Sequence, residues 1–391
     1  MASLIRITDD WDLAEDCVQD AVERALVRWP GDGTPDNPAA WLTTTAHRRA
    51  LDVLRRRRTE AGKLAELAER AERTAEPAAE LDPYGSAYGD DRLRLLFTCC
   101  HPALPLAGRV ALTLKTVGGL SVREIARAFL VSEATMGQRL LRARNKIAHA
   151  RIRLVVPEPD RLADRTAAVL AVVYLIFNSG YGGGPEADRL AEESVRLARL
   201  VARLLPELDE AHGLLALLLF QHARRAARTD PAGMLVPMAE QDRNGWDSAM
   251  IAEGLASLAT ARGTGRPAGP YRLQAEIAAL HATAPSADAT DWAGVVAAYD
   301  HLLRLQPSPV IALNRAVALG YRDAPEAGLA ALAEVADQLT DYHLVPAVRA
   351  GLLRLAGRDD EALAAYHQAI EAAGSPAERR LLQRRIDELT G

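Results

Sequence analysis

The sequence predicts an all-α protein of two or three domains. Three observations predict it. Ala, Leu and Arg dominate a chain of 391 residues in which aromatics make up 5% and hydrophobic residues 49%. Between helix caps, apolar residues recur at three- to four-residue spacing. In the C-terminal half, related helical segments return at intervals suited to a helical repeat. A chain of this length can bury substantial cores. The longest apolar stretch, Thr166 to Phe177, is too short to span a bilayer, and Asp9, Asp10 and Asp12 interrupt the N-terminal segment where a signal peptide would be apolar. Three cysteines, two of them adjacent, cannot make a disulfide framework. The expected compartment is the cytoplasm, with no membrane partner.

The first predicted element is the acidic helix "DWDLAEDCVQDAVERALVRW", with Leu13, Cys17, Val18, Ala21 and Ala25 facing inward. The Gly-, Pro- and Asp-rich "RWPGDGTPDNP" follows as a loop. Next, "NPAAWLTTTAHRRALDVLRRRR" aligns Trp41, Leu42, Ala46, Ala50, Leu51 and Leu54 on one helical stripe, with His47, Arg48, Arg49, Asp52, Arg55 and Arg56 on the other faces. A Trp on such a stripe reads as core. Residues 59–90 are charged, then rich in Ala and Glu, then contain Pro, Gly and Tyr; they read as a flexible linker holding at most one solvated helix. In "LLFTCCHPAL", Cys99 and Cys100 read as small buried residues, since neighbouring thiols chelate one ion poorly and no second Cys/His cluster completes a tetrahedral site. No metal or other cofactor is expected. His101 before Pro102 reads as a helix end.

The segment "LSVREIARAFLVSEATMGQRLLRARNKI" is the most informative. Ser121 and Glu124 form a capping box for a short helix through about Ala128, with Ile125 and Ala126 inward. An apolar turn, Phe129 to Val131, leads to Ser132, which caps a second helix. Met136, Leu140, Ala143 and Ile147 are its buried stripe. A short capped helix, a tight turn and a longer basic helix make a helix-turn-helix, whose second helix enters the major groove of DNA. Its exposed side offers Glu133, Thr135, Gln138, Arg139 and Arg142, residue types that pair with base edges. Arg144, Lys146, Arg151 and Arg153 are placed for phosphates.

The charge distribution agrees. The chain carries a formal net charge of −5, yet residues 41–63 hold seven bases against two acids and residues 121–156 eight against two. Residues 1–23 hold one base against seven acids, and the part beyond residue 156 balances at −8. Two basic blocks suit a polyanion partner.

Together these blocks resemble an RNA polymerase sigma factor of the extracytoplasmic-function group. "DLAEDCVQDAVERAL" resembles the core-polymerase-binding helix of sigma region 2, "NPAAWLTTTAHRRALDVLRRRR" the part of region 2 that recognises and opens the promoter −10 element, and "GGLSVREIARAFLVSEATMGQRLLRARNKI" region 4, which reads the −35 element. The resemblance implies core RNA polymerase and promoter DNA as partners. It implies polymerase contacts at Asp12, Glu15, Asp16, Gln19 and Asp20, and −10 or phosphate contacts at Arg48, Arg49, Arg55 and Arg56. The loop before Trp41 would hold a flipped base, although it carries no aromatic to stack on. No chemistry is required of the chain, which is not expected to be an enzyme. Relatives carry further helix ahead of "DWDLAED"; here only "MASLIRITD" precedes it.

The C-terminal body reads as a tetratricopeptide-like array. Pro206 and Pro307 sit at helix junctions 101 residues apart, close to three periods of such a repeat, and "RDAPEAGLAALAEV" and "RDDEALAAYHQAI" recur about one period apart. Ala316, Ala327, Ala350 and Ala362 fall where paired helices pack closely. "DDRLRLLFTCCHPAL", "AEQDRNGWDSAMIAEGL", "GPYRLQAEIAALHA" and "SPVIALNRAVALG" resemble a sigma subgroup with such an extension, in which Ser179 of "YLIFNSGY" replaces an acid. "GYGGG" lacks the Lys-Ser/Thr of a phosphate loop and reads as a turn. Asp242 and Arg243 form a polar or ionic pair in this reading.

The expected domains are therefore sigma region 2 at 1–58, the linker at 59–90, region 4 at 91–156 and the helical array at 157–391. The expected function is promoter-specific initiation, with the acidic C-terminal body contacting the sigma regions or polymerase and gating activity. The alternative is a one-component helix-turn-helix regulator with a helical-repeat sensor. A hydrolase finds no nucleophile–base spacing or metal motif in its favour.

Overall fold

The computed structural model describes residues 2–8, 10–68, 91–129, 131–180, 185–340 and 342–391. Among them the chain is helical, and the sole β feature is an isolated antiparallel bridge between Thr229 and Leu235. It forms two compact units, Met1–Leu175 and Ile176–Gly391.

The first unit opens with α1 (Ala2–Thr8), an element the sequence reading did not anticipate. Leu4 and Ile5 are buried, and α1 packs on the three helices that follow it. The acidic helix α2 (Trp11–Asp32) starts where the Asp10 carboxylate accepts the N–H groups of Asp12 and Leu13, at 3.1 and 3.0 Å. Leu13, Ala14, Cys17, Ala21 and Ala25 form its buried face, and Val18 is half-buried. The expected loop from Arg28 is shorter than predicted, because α2 continues through Pro30. Gly33, at φ +85°, ends it, donating to the Trp29 carbonyl.

Helix α3 (Pro38–Ala68) begins with Asn37 Oδ1 accepting the Ala40 N–H at 3.0 Å and Pro38 in the first turn. Ala46 and Ala50 are buried, so α2 and α3 pack through small side chains. Leu51, placed on the buried stripe by its spacing, is instead 40% exposed. The helix runs ten residues into the expected linker; residues 69–90 lie outside the described residues.

Helices α4 (Asp91–Cys99), α5 (Leu106–Thr116), α6 (Val122–Ala128) and α7 (Glu133–His149) complete the fold of this part. Cys99 and Cys100 are fully buried, and burial pushes the Cys100 thiol up to about 11. The chain leaves α4 at Cys100–His101, as the His-Pro pair predicts.

Helix α8 (Pro159–Ser179) follows, and the boundary between the compact units falls within it. Residues Asp160–Ser179 of this helix are long and apolar enough to cross a membrane by length and composition alone, a test that the core helices of soluble proteins also pass. The early turns of α8 carry Arg165, whose Nη2 donates to the Phe97 carbonyl at 2.6 Å.

The second unit stacks consecutive helices: α9 (Pro185–Leu204), α10 (Asp209–Ala223), α11 (Ser248–Gly263), α12 (Pro270–Thr283), α13 (Trp292–Leu305), α14 (Pro309–Arg322), α15 (Pro325–Ala336), α16 (Leu344–Leu355), α17 (Asp359–Ala372) and α18 (Pro376–Thr390). Pro206 and Pro307 occupy helix junctions. Pro270, Pro309, Pro325 and Pro376 start helices, where no N–H is needed. Ala316, Ala350 and Ala362 are fully buried, but Ala327 is only half-buried and Gly328 takes the closest approach. Asp242 and Arg243 do not form the expected pair. Asp242 caps a short 3-10 turn through Asn244, while Arg243 lies over the Trp246 ring and donates to the His281 and Ala284 carbonyls. Most of "GYGGG", residues 181–184, lies outside the described residues.

Candidate nucleic-acid interface

Both predicted caps of the helix-turn-helix form. Ser121 Oγ accepts the Glu124 N–H at 3.2 Å while Glu124 Oε2 accepts the Ser121 N–H at 2.8 Å. Ser132 Oγ accepts the Thr135 N–H at 3.1 Å. With Ile125 and Ala126 buried under α6 and Met136, Leu140, Ala143 and Ile147 buried under α7, the rotation of α7 is fixed. That rotation exposes Glu133, Thr135, Gln138 and Arg142, with Arg139 half-buried beside them. Glu133 lies 3.8 Å from Arg123, and both side chains are exposed. Lys146, Arg151 and Arg153 are exposed further along.

Arg144 departs from its expected role as a phosphate ligand. It lies four residues after Leu140 and beside Ala143, at the edge of the buried stripe. Its side chain is only 18% exposed and binds acids of α2: Nη1 to Asp12 Oδ1 at 2.7 Å and Nη2 to Glu15 Oε2 at 2.6 Å. Lys115 Nζ on α5 reaches Glu15 Oε1 at 2.8 Å. Burial alone would raise the Glu15 carboxyl; the hydrogen bonds and charges of Lys115 and Arg144 outweigh it and hold the group below the ordinary carboxylate range. Lys115 was missed by sequence reasoning, though a cation at the end of the apolar run "VALTLKT" is itself a signal, because a half-buried ammonium requires an anionic partner.

On α2, Asp12, Asp16 and Gln19 are exposed and Asp20 is half-buried, whereas Glu15 turns toward α5 and α7. Asp16, Gln19, Asp20, Glu23, Arg49 and Arg57 help to line a concave surface of about 400 Å³ between α2 and α3. On α3, Arg48, Arg55 and Arg56 are exposed. Arg49, expected on DNA, lies 3.3 Å from Asp20, and Arg57 holds Asp10 at 3.1 Å. Trp41 meets the core expectation in part: it is half-buried, with its ring edge-on to Trp29 at 5.6 Å. Trp29, which the sequence reading assigned no role, thus joins Trp41 at the base of the loop between α2 and α3.

An acidic helix, a helix bearing exposed arginines and two N-capped helices joined by a tight turn define a DNA-binding protein of the sigma-70 kind. Residues 2–60 match sigma-70 region 2, residues 94–147 match sigma-70 region 4, and residues 165–262 match a family of unknown function (DUF6596). These domains make the chain an extracytoplasmic-function-like sigma factor with a C-terminal extension. It is 45% identical over 396 residues to the "Uncharacterized protein R00370" of Rhizobium meliloti (strain 1021), an alignment covering 100% of this chain and 93% of that one, and the chain belongs to the same family as that protein.

Proposed function

We propose that the chain binds core RNA polymerase and directs it to specific promoters from the cytoplasm, without catalysis of its own. In this reading the polymerase meets the acidic face of α2 at Asp12, Asp16, Gln19 and Asp20, with Glu15 joining once it is freed. Arg48, Arg55 and Arg56, with Arg49 beside them, follow the −10 region, and α7 reads the −35 region with Glu133, Thr135, Gln138, Arg139 and Arg142. Lys146 holds phosphate. The observation that carries the reading is the exposed polar row on α7, held in register by Ser132 and four buried apolar side chains. The domain limits read from the sequence, 1–58, 91–156 and 157–391, are kept as part of this proposal.

The C-terminal helices form, in this proposal, a tetratricopeptide-like regulatory array. Supporting it are the consecutive helix pairs, the Pro residues at their starts and the fully buried Ala316, Ala350 and Ala362 between them. Its acidic balance complements the two basic blocks.

The test is transcription of fragmented genomic DNA by core polymerase and the purified full chain alone. Specific start sites are the expected result. Initiation that appears only after a housekeeping sigma factor is added would instead make the chain a one-component regulator. A chain lacking residues 160–391 tests the regulatory arm: its promoter output is expected to differ from that of the full chain, and equal output would discard that arm.

A further inference from the structure

The second unit is joined from its last helix back to the segment that follows α10. A stacked helical array needs contacts only between neighbours. Here Arg384 of α18 donates to Glu240 across 144 residues, Nη2 to Oε2 at 2.9 Å, and Arg385 binds the other oxygen of the same carboxylate. Glu240 ends the 3-10 turn Met238–Glu240, between α10 and α11. That segment is pinned at both ends. Arg228 donates to the Gln221 carbonyl and the Asp247 N–H to the Ala223 carbonyl, both on α10, while Arg243 holds the end of α12. Glu240 thus stands on a fixed post. On the other side, Leu382 and Ile386 seat α18 in a core shared with Ala362, Ala365, Tyr366 and Ala369 of α17.

The apolar seat accounts for α18 as a cap on the array, but not for its arginines. The Arg385 side chain is only 10% exposed, and a cation so withdrawn from water requires anionic partners. It has two: Glu240, and Glu388 one turn on, whose Oε2 accepts from Arg385 Nη1 at 2.7 Å. Glu388 also lies 3.5 Å from Arg354 of α16 and 3.5 Å from Arg384. Three arginines therefore share two carboxylates, and Glu240 is the one contributed from the far end of the array. We propose that α18 is a latch: its arginines on Glu240 close the helical array, their release opens it, and promoter output follows the state that is populated. The last clause rests on the reading of the C-terminal helices as regulatory. The side chains of Glu240 and Arg384 are 38% and 31% exposed, so salt reaches the pairing and closure weakens as ionic strength rises.

The experiment uses the full chain with spin labels at Ala232→Cys, in the segment that carries Glu240, and Gln383→Cys on α18, both exposed positions; the native Cys17, Cys99 and Cys100 are buried and escape labelling. Double electron–electron resonance should give one narrow distance at low salt, which lengthens and broadens at high salt. Glu240→Lys should raise the ratio of open to closed molecules about tenfold, equivalent to about 1.4 kcal/mol. Glu240→Gln should fall between, which separates lost charge from a folding defect in the charge-reversed variant. Transcription by core polymerase with each unlabelled variant should move with its open population. A broad distance in the wild type at low salt, or distances indifferent to both Glu240 variants, overturns the latch. Distances that respond while promoter output does not, in a chain whose output changes when residues 160–391 are removed, overturn its control of output. If removing residues 160–391 changes nothing either, the closing contact stands and the regulatory reading fails.

Discussion

Glu210 on α10 holds the start of α12 through Arg272, whose backbone N–H donates to the Glu210 carboxylate at 3.0 Å, with the Tyr271 N–H donating at 2.9 Å. The N-cap of α12 is Gly269, which has no side chain to cap with, so the carboxylate arrives from another helix. The absence of a side chain is useful here: a Cβ on Gly269 would lie 2.6 Å from Glu210 Oε1. Burial raises the Glu210 carboxyl and the two backbone donors only partly offset it. Since the fold favours the protonated form, this group's contribution to stability declines as pH rises through the range just above its ordinary value of 4.5.

Glu210→Ala should therefore destabilise the full chain by about 2 kcal/mol, the scale of losing hydrogen bonds to a charged group. Glu210→Gln keeps an acceptor and should lose less. Urea unfolding followed by circular dichroism reads both. An Ala variant as stable as the wild type would mean that the carboxylate does not cap α12.

Two glycines separate backbone crowding from side-chain crowding. A Cβ on Gly328 would meet the Ala316 carbonyl oxygen at 2.8 Å and the Gly320 Cα at 3.0 Å, both backbone atoms of α14. A Cβ on Gly320 would chiefly meet the flexible end of Leu352. Gly328→Ala should thus force α15 away from α14 and cost about 1–3 kcal/mol, while Gly320→Ala costs less because a rotamer change can absorb it. Thermal unfolding of the two variants gives the order, and a reversed order would contradict this account.

The contrast between Ala327 and Gly328 shows how far the sequence could be read. Periodicity found the helix pair and set the contact within one residue. It could not choose between neighbours, because the choice depends on the partner's backbone at Ala316. The helix-turn-helix was legible almost completely: Ser121, Glu124, Ser132 and the stripe from Met136 to Ile147 encode local geometry, and all lie where the spacing puts them. Arg144 was assigned by charge alone, and its position four residues after Leu140 decides its environment. Its partners are 129 and 132 residues away in the chain, and no local pattern names them. Leu51 failed for the opposite reason: it lies on the stripe, but Ala46 and Ala50 already make the contact with α2.

His281 gives the second unit a dependence on acid. Its ring stands edge-on to Trp292 at 5.2 Å. Burial, reinforced by the charges of Arg224 and Arg243, brings its pKa from 6.5 down to about 4. The folded chain then binds this proton less readily than the unfolded chain does. Stability contributed above pH 6.5 is lost as pH falls toward 4, by up to about 3 kcal/mol for this site. His281→Gln should flatten that part of the stability profile. The difference between wild-type and variant urea midpoints, taken at steps from pH 7 to 4.5, isolates His281 from carboxylates titrating in the same range. A constant difference would refute the assignment.

Arg142 and Lys146 should separate reading from holding. Both are exposed on α7, but Arg142 lies one turn after Gln138 on the face that carries Thr135 and Gln138, whereas Lys146 lies in the last turn. In a helix-turn-helix the N-terminal residues meet base edges and later ones meet phosphates. Arg142→Ala should cost about 1–3 kcal/mol on the preferred promoter and little on scrambled DNA, with relaxed preference at one base pair. Lys146→Ala should weaken all sequences alike and lower the slope of log affinity against log salt by about 0.9. Because Arg144 is engaged with Asp12 and Glu15 in the free chain, Arg144→Ala should lower the unfolding midpoint of the first unit, an effect neither of the other two substitutions should have. Fluorescence anisotropy on the polymerase-bound chain over a salt series, with thermal unfolding of the three free variants, distinguishes these roles. A uniform loss from Arg142→Ala across all DNA would remove it from the base-reading set.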